Sequence, residues 1–209
     1  MNGKIKCLKT YRYSIYGQLD NSDNLIYVLH GYGQLASYFI RKFHGLPDNC
    51  LVVAPEGMHR FYLNGSSGRV GASWMTKEER EDDISDNLNW LSELHEELTL
   101  NKQFKKVLIL GFSQGGATAA RWFQSDLIQA DHLIIWASIF PPDLDHNKEI
   151  QENKNEHFFF LGKKDEFYNS EQQQDLLSFY QRKGFQATHF EGGHDINLPE
   201  LRKVLSRLT

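Results

Sequence analysis

The chain contains few cysteines, the residues that form the disulfides of small secreted domains and bind metal ions through sulfur. Only two of its 209 residues are cysteines, which is too few for a disulfide framework or a cysteine-based zinc site. Cys7 and Cys50 both lie in apolar, strand-like surroundings. We therefore expect two buried free thiols in a reducing compartment.

Long apolar runs and an excess of positive charge are also missing. The longest apolar runs, such as "LIIWA", are too short to span a bilayer, and the charged N-terminal segment lacks the apolar centre of a secretory signal. Lys and Arg total 23 against 27 Asp and Glu, so the formal net charge is −4. These properties predict a cytoplasmic protein that neither binds nucleic acid nor inserts stably into a membrane. A homodimer is compatible with the sequence but cannot be derived from it.

Short apolar runs recur along the chain, each closed by Gly, Pro, Ser or His. Hydrophobic residues make up 40% of the sequence, enough for a substantial core in one domain spanning residues 1–209. Continuous short runs of this kind are typical of parallel strands buried on both faces. The runs are Leu25–Leu29, Leu51–Ala54, Val107–Leu110, His132–Ala137 and His157–Leu161. The N-terminal segment, residues 7–15, instead alternates as an edge or antiparallel strand would.

Helical patterns lie between these runs. Residues 78–98 carry apolar side chains at helical spacing, and further helices are predicted over Gln114–Gln124, Ser170–Lys183 and Pro199–Leu208. Ser170 is the expected N-cap of its helix, and Pro199 suits a first helical position. Strands alternating with helices predict a three-layer α/β sandwich. Its central sheet is mostly parallel and doubly wound, with no separate cap domain.

A G-x-S-x-G pattern, "GFSQGG", directly follows the run that ends at Leu110 and opens the helix at Gln114. A strand that turns abruptly into a helix strains the residue at its apex and presents that side chain at the edge of the sheet. The apex residue is Ser113. The pattern therefore favours Ser113 as a nucleophile over an unreactive tight turn.

A nucleophilic serine needs a base and an acid that orients the base, in the chain order Ser, acid, His for this strand–turn–helix arrangement. "GKKDEF" places Asp165 after a later strand, and "GGHDI" places His194 in a loop before the last helix. Asp143 and Asp145 follow another strand end and remain the alternative acids. Ser113, Asp165 and His194 are the predicted catalytic residues.

The segment "LHGYGQLA" permits two interpretations. Gly31, Gly33 and Ala36, with Glu56 as the ribose-binding acid, fit a dinucleotide fingerprint. Alternatively, the loop supplies the backbone N–H of Tyr32 as an oxyanion donor, together with that of Gln114. The second interpretation accounts for both Gly-rich turns at once, so we favour it, with His30 as a structural hydrogen-bonding residue of the loop.

Several segments together resemble the phospholipase/carboxylesterase family of α/β-hydrolases, which includes bacterial carboxylesterases and acyl-protein thioesterases. The segments are "LHGYGQ", "APEG", "ASWM", "GFSQGGATA", "GKKDEF" and "GGHDI", in the order in which that family has them. The resemblance covers the chain from about Leu25 onwards and implies an α/β-hydrolase fold. It also implies the triad and oxyanion donors proposed above. The loops around Asp165 and over 57–75 depart from the family pattern, so protein deacylation is not carried over.

The expected activity is hydrolysis of carboxylic esters or thioesters with short- to medium-chain acyl groups, without metal or organic cofactor. Aromatic and thioether side chains near the predicted triad form a candidate shallow acyl site: Phe61, Tyr62, Trp74, Met75 and Phe167. Two other functions remain open. One is a nicotinamide-dependent oxidoreductase using Gly31–Ala36, and the other is a non-catalytic ligand-binding protein of the same fold.

Overall fold

The computed structural model describes residues 3–144 and 155–208. In this part of the chain the strands are β1 (Tyr13–Tyr16), β2 (Asn24–Leu29), β3 (Cys50–Pro55), β4 (His59–Asn64), β5 (Ser67–Ser73), β6 (Lys106–Phe112), β7 (His132–Trp136), β8 (His157–Gly162) and β9 (Phe185–Phe190). The α-helices are α1 (Ala36–Phe39), α2 (Arg80–Thr99), α3 (Gln114–Gln124), α4 (Ser170–Arg182) and α5 (Leu198–Leu208). A short 3₁₀ helix, Ile40–Phe43, follows α1 directly.

The central sheet has seven strands in the order β1-β3-β2-β6-β7-β8-β9. Strand β1 runs antiparallel to β3, and the other neighbouring pairs are parallel. Helices flank this sheet, so the predicted α/β sandwich is confirmed. Because the parallel strands point the same way, the loops that follow β2, β6, β7 and β8 gather at one edge, where ligands of such folds bind.

The buried strands form because their residues are apolar on both faces. Every residue of β2, β3, β7 and β8 is buried, as continuous Val, Ile, Leu and Phe runs require. Trp74, Trp122 and Trp136 have no exposed surface and fill the largest spaces of the core. No helix within 3–144 and 155–208 is long and apolar enough to cross a bilayer.

Local details at three element ends differ from the predictions. The N-cap of α4 is Asn169 instead of Ser170. Its Oδ1 accepts from the Gln172 N–H, and its own N–H donates to Gln172 Oε1, which makes a capping box. Helix α5 begins at Leu198, so Pro199 occupies its second position. The N-terminal alternation yields only the four residues of β1.

The two cysteines have different environments. Cys50 is buried in β3, as predicted, but Cys7 lies outside β1 and is exposed, so the expectation of a second buried thiol was wrong. The neighbouring Leu8 is exposed as well. Residues 7–8 do not pair with the sheet, and an unpaired segment has no apolar face to pack against.

A two-stranded hairpin, β4–β5, stands apart from the central sheet and was not predicted. Its first strand alternates between half-buried and exposed residues, and a turn at Gly65 joins the two strands. An antiparallel bridge between Gln34 and Ala72 ties the hairpin to the loop that follows β2. The hairpin therefore reaches the edge of the sheet at which the predicted site residues gather.

Candidate active site

Ser113 occupies the sharp turn between β6 and α3. Its backbone angles are φ 52° and ψ −124°, a region that a non-glycine residue enters only at an energetic cost of about 1–3 kcal/mol. Two hydrogen bonds hold this turn: the Ser113 N–H donates to the Trp136 carbonyl at 2.8 Å, and the Gly116 N–H donates to the Ser113 carbonyl at 2.9 Å. The turn is thus fixed from both sides, as a nucleophile elbow requires.

The glycines around Ser113 allow the backbone of α3 to approach the sheet closely. A Cβ atom on Gly115 would lie 2.4 Å from the Leu29 carbonyl oxygen. A Cβ atom on Gly111 would lie 2.5 Å from the Gly115 carbonyl oxygen. Side chains at these positions would force the helix away from β2 and β6. The G-x-S-x-G pattern therefore reflects packing as well as the turn.

His194 and Asp165 are brought together by the loops after β9 and β8. His194 Nδ1 lies 2.7 Å from Asp165 Oδ2. Asp165 is only 3% exposed, and its Oδ1 accepts a hydrogen bond from the Phe167 N–H at 3.0 Å. Both carboxylate oxygens therefore have donors, and the bond to Nδ1 leaves Nε2 as the imidazole nitrogen for chemistry.

The imidazole of His194 lies beside the Ser113 turn. Its ring centroid is 4.9 Å from that of Phe112, the residue before Ser113, and 4.4 Å from that of Phe167. Gly31, from the loop after β2, completes the cluster, since a Cβ atom there would lie 3.2 Å from Ser113 Cβ. The edge of the sheet thus gathers a strained serine, a histidine–carboxylate pair and a Gly-containing loop.

The alternative acids are not placed for this role. Arg121 binds Asp143 through two hydrogen bonds of 2.8 and 2.6 Å, and these bonds lower the pKa of the Asp143 carboxyl. Asp143 is therefore the partner of a cation on α3. Asp145 lies outside the described residues.

His30 has the structural role that the sequence predicted. The Gly57 N–H donates to Nε2 at 2.9 Å, so the ring proton is assigned to Nδ1, which lies 2.8 Å from the Gly31 carbonyl oxygen. Burial lowers the pKa of His30 to about 4. The imidazole is thus neutral at pH 7 and connects the loop after β2 to the turn after β3.

The β4–β5 hairpin braces the same loop. The Gly33 N–H donates to the Ala72 carbonyl at 2.9 Å, and the Ala72 N–H donates to the Gln34 carbonyl at 3.1 Å. The indole N–H of Trp74 donates to the His30 carbonyl at 2.8 Å. These bonds fix the backbone on both sides of Tyr32, whose own N–H makes no hydrogen bond to any described residue.

The side chain of Gln114 ties the Ser113 turn to the end of β5. Its Oε1 accepts from the Trp74 N–H at 3.1 Å, and its Nε2 donates to the Met75 carbonyl at 2.9 Å and to Ser73 Oγ at 3.0 Å. As the first residue of α3, Gln114 has no intrahelical acceptor for its backbone N–H. That N–H is available at the positive end of the helix.

The predicted acyl-site residues have different environments. Phe61 and Met75 are half-buried, whereas Tyr62 and Phe167 are exposed. Phe61 packs against Tyr32 with ring centroids 5.1 Å apart, so it lies beside the loop that follows β2. Trp74 has no exposed surface and supports the loop from beneath. It therefore cannot contact a substrate without rearrangement.

The geometry does not favour the dinucleotide alternative. Helix α1 has only four residues, so it has little of the dipole that holds a pyrophosphate at a helix N-terminus. In the loop from Gly31 to Gly33, the Gly31 N–H already donates to the Gln34 side chain and the Gly33 N–H to the Ala72 carbonyl of β5. Glu56 is buried, with its carboxylate 3.5 Å from Arg60.

Comparisons with known proteins give a family and a fold for the chain. A family model described as serine hydrolase (FSH1) matches residues 21–206. A comparison with curated proteins gives no match.

Solved structures establish the fold. The chain is similar to a carboxylesterase from Mesorhizobium loti at 16% identity and TM-score 0.71, covering 94% of each chain. Zea mays acyl-protein thioesterase 2 matches at 16% identity and TM-score 0.69, over 94% of this chain and 97% of that one. The Bacillus cereus carboxylesterase matches at 15% identity and TM-score 0.67, over 94% and 92%. The α/β-hydrolase fold expected from the motifs is thereby confirmed, and the family model bears out the resemblance to serine hydrolases.

Proposed function

Because the chain belongs to the FSH1 serine hydrolase family, we propose that it hydrolyses carboxylic esters or thioesters through an acyl-enzyme on Ser113. The observation that carries this proposal is the 2.7 Å contact between His194 and the buried Asp165, beside the strained turn at Ser113. The substrate is a small molecule with a short- to medium-chain acyl group. The reaction needs no metal or organic cofactor.

In the first step the Ser113 hydroxyl attacks the carbonyl carbon while His194 Nε2 takes the hydroxyl proton. The carbonyl oxygen becomes an oxyanion and accepts hydrogen bonds from the backbone N–H groups of Tyr32 and Gln114. Removing one such donor typically costs about 3–4 kcal/mol of transition-state stabilisation. Asp165 holds the imidazole with its proton on Nδ1 and stabilises the imidazolium that forms.

In the second step the tetrahedral intermediate collapses, and the imidazolium gives its proton to the leaving alcohol or thiol. Water then enters, His194 removes one of its protons, and the resulting hydroxide attacks the acyl carbon. Collapse of this second intermediate releases the carboxylic acid and returns the proton to Ser113. The same donors stabilise both oxyanions.

The acyl group lies on the hairpin side of Ser113 in this proposal. Phe61, Tyr62 and Met75 supply apolar surface there, whereas Phe167 packs against the His194 imidazole. Trp74 is left out of the site because it is completely buried. Such a site is shallow, since Tyr62 is exposed, and favours short to medium chains.

Labelling with a fluorophosphonate tests the nucleophile directly. The native protein and the control Ser125→Ala, a serine after α3, should label at the same rate. Ser113→Ala should not label, and His194→Ala should label at least 100-fold more slowly, because the hydroxyl then lacks its base. Labelling of Ser113→Ala at the native rate would refute the assignment.

A further inference from the structure

A cavity of about 430 Å³ opens on the side of the site opposite the hairpin. Its walls come from the loop after β7, the loop after β8 and one face of α4. Small-molecule sites span roughly 300–1,000 Å³, so this cavity suits a group smaller than a typical drug. It was not predicted, because its walls come from three separate segments of the chain.

The cavity and the catalytic imidazole share one neighbour, Phe167. This residue forms one wall of the cavity and also packs against the His194 ring, with centroids 4.4 Å apart. Ile139 forms another wall and follows β7, whose last residue, Trp136, accepts the hydrogen bond from the Ser113 N–H through its carbonyl oxygen. A group held in the cavity would therefore contact Phe167, the residue that packs against the imidazole.

Apolar side chains dominate the lining of the cavity. Large apolar side chains at its mouth are exposed to water, which is energetically unfavourable. Ile139 is 62% exposed and Phe167 is 65% exposed, although both are large apolar residues. Together with Leu176 of α4 they form a continuous apolar surface. Exposed apolar patches of this kind mark binding sites in soluble proteins. Asp175 is the one charged residue among the described lining residues, so the cavity does not favour anionic groups.

We propose that this cavity binds the leaving group of the substrate, an uncharged apolar alcohol or thiol such as a benzyl or medium-length alkyl group. The assignment rests on the proposed function. His194 must protonate the leaving-group oxygen or sulfur, so the leaving group begins next to the imidazole. Phe167 contacts the imidazole and lines the cavity, so the rest of the leaving group can extend past Phe167 into the cavity. The oxyanion donors Tyr32 and Gln114 lie on the hairpin side, with the acyl group.

Binding of a product-like alcohol tests the cavity without requiring turnover. In ¹⁹F NMR, 4-fluorobenzyl alcohol should bind the native protein with a dissociation constant in the millimolar range and should bind Ser113→Ala equally well. Leu176→Trp, which fills the cavity, should weaken binding at least fivefold. Leu100→Ala, an exposed leucine after α2, is the matched control and should not change it. Absence of binding to the native protein, or unchanged binding to Leu176→Trp, would overturn the proposal.

A matrix of esters then assigns the cavity to one half of the substrate. Across butyrate esters, kcat/KM of the native enzyme should rise about tenfold or more from methyl to benzyl. Leu176→Trp should abolish that rise, whereas the control Leu100→Ala should keep it. Across methyl esters from acetate to octanoate, the profile should keep its shape in Leu176→Trp. A variant that changes the acyl profile and not the alcohol profile would show that the cavity holds the acyl group, contrary to the proposal. Alcohol binding without hydrolysis of any ester would instead contradict the proposed function.

Discussion

The two sides of Ser113 are built in different ways. On the hairpin side, backbone and side-chain hydrogen bonds connect Gly33, Ala72, Trp74 and Gln114 into one frame. On the opposite side, here called the acid-loop side, backbone hydrogen bonds such as that from the Lys164 N–H to the Gly192 carbonyl at 2.9 Å join the loops after β8 and β9. Among the described residues, the imidazole has its polar contact with Asp165, and its aromatic neighbours are Phe112 and Phe167. The backbone is hydrogen-bonded on both sides, but the acid-loop side presents aromatic rings and an open cavity where the hairpin side presents a hydrogen-bonded frame.

This difference matches the two tasks that the chemistry sets. An oxyanion forms at the same place in every reaction, so its donors need fixed positions, and directional hydrogen bonds supply them. A leaving group varies between substrates, and an apolar cavity accepts different shapes with little loss. Substitutions on either side of Ser113 test this difference.

The largest effect is expected for Asp165→Asn, which removes the carboxylate that contacts His194 Nδ1. Asparagine can present its N–H₂ group to Nδ1 and thereby favour the wrong imidazole tautomer. We expect kcat to fall by roughly 10³- to 10⁴-fold, with KM changed far less. Steady-state kinetics with 4-nitrophenyl butyrate measures this change.

Asp143→Asn is the matched control for this carboxylate. Asp143 pairs with Arg121, so its loss should lower stability but leave the kcat of the folded enzyme within about threefold. A drop in kcat as large as that of Asp165→Asn would show that the acid has been misassigned.

Acid should lower the free energy of unfolding through His30, which lies on the hairpin side. Burial lowers its pKa from 6.5 to about 4, so between these pH values the unfolded chain binds a proton that the folded chain does not bind. The free energy of unfolding therefore has its full value above pH 6.5 and decreases as the pH falls from 6.5 to 4. The shift corresponds to about 3 kcal/mol in the free energy of unfolding. Urea denaturation at a series of pH values measures it.

His157 of β8 contributes to the same pH dependence and must be separated from it. Burial also lowers its pKa to about 4, and its Nδ1 accepts a hydrogen bond from the Leu133 N–H. In His157→Asn, the amide oxygen can still accept that bond but cannot titrate. Burial also lowers the pKa values of His95 and His189, so we expect this variant to lose only a part of the pH dependence. Loss of the whole dependence would show that His30 contributes none.

A smaller effect is expected for the Gln114 side chain, which acts as a positioning residue. Gln114→Ala removes the bonds to Ser73, Trp74 and Met75, and its backbone N–H should become less well placed. We expect kcat to fall about 10- to 100-fold with little change in KM, since misplacement by about 1 Å can cost 10²-fold.

Gln114→Met distinguishes hydrogen bonding from packing in this frame. Methionine fills nearly the same volume but makes none of the three bonds. If hydrogen bonds position the amide, Gln114→Met should be as slow as Gln114→Ala. Recovery of native kcat in Gln114→Met would show that Gln114 matters only as a space-filling residue.

Local sequence patterns were sufficient for the buried strands and for the order of the site residues. The runs ending at Leu29 and Leu110 are continuous and apolar, and Gly111 and Gly115 flank Ser113 at a spacing that only a tight turn explains. Such features depend on neighbours along the chain. They can therefore be recognised without knowing the fold.

The hairpin and the cavity depend on distant contacts and could not be predicted in the same way. Strand β4 is half polar, so its alternation around Phe61 is weak, and its stability comes from pairing with β5 and the bridge at Gln34. Trp74 was expected in the acyl site because it is aromatic, but its indole N–H has a partner only in the folded chain. Aromatic side chains indicate burial more reliably than they indicate a ligand.

The smallest effect is expected for Asp175→Asn at the rim of the cavity. Asp175 is exposed, so its repulsion of an anionic leaving group is reduced by solvent and by salt. The native enzyme should hydrolyse benzyl butyrate faster than the butyrate ester of 4-(hydroxymethyl)benzoate. Asp175→Asn should narrow this preference about two- to fourfold at low salt and much less at 1 M salt. Because the same acyl group is transferred in both cases, a change confined to the anionic ester places the carboxylate beside the leaving group. An equal change for both esters would mean that Asp175 acts on the fold or on the acyl side. That result would contradict the placement of the leaving group on the cavity side of Ser113.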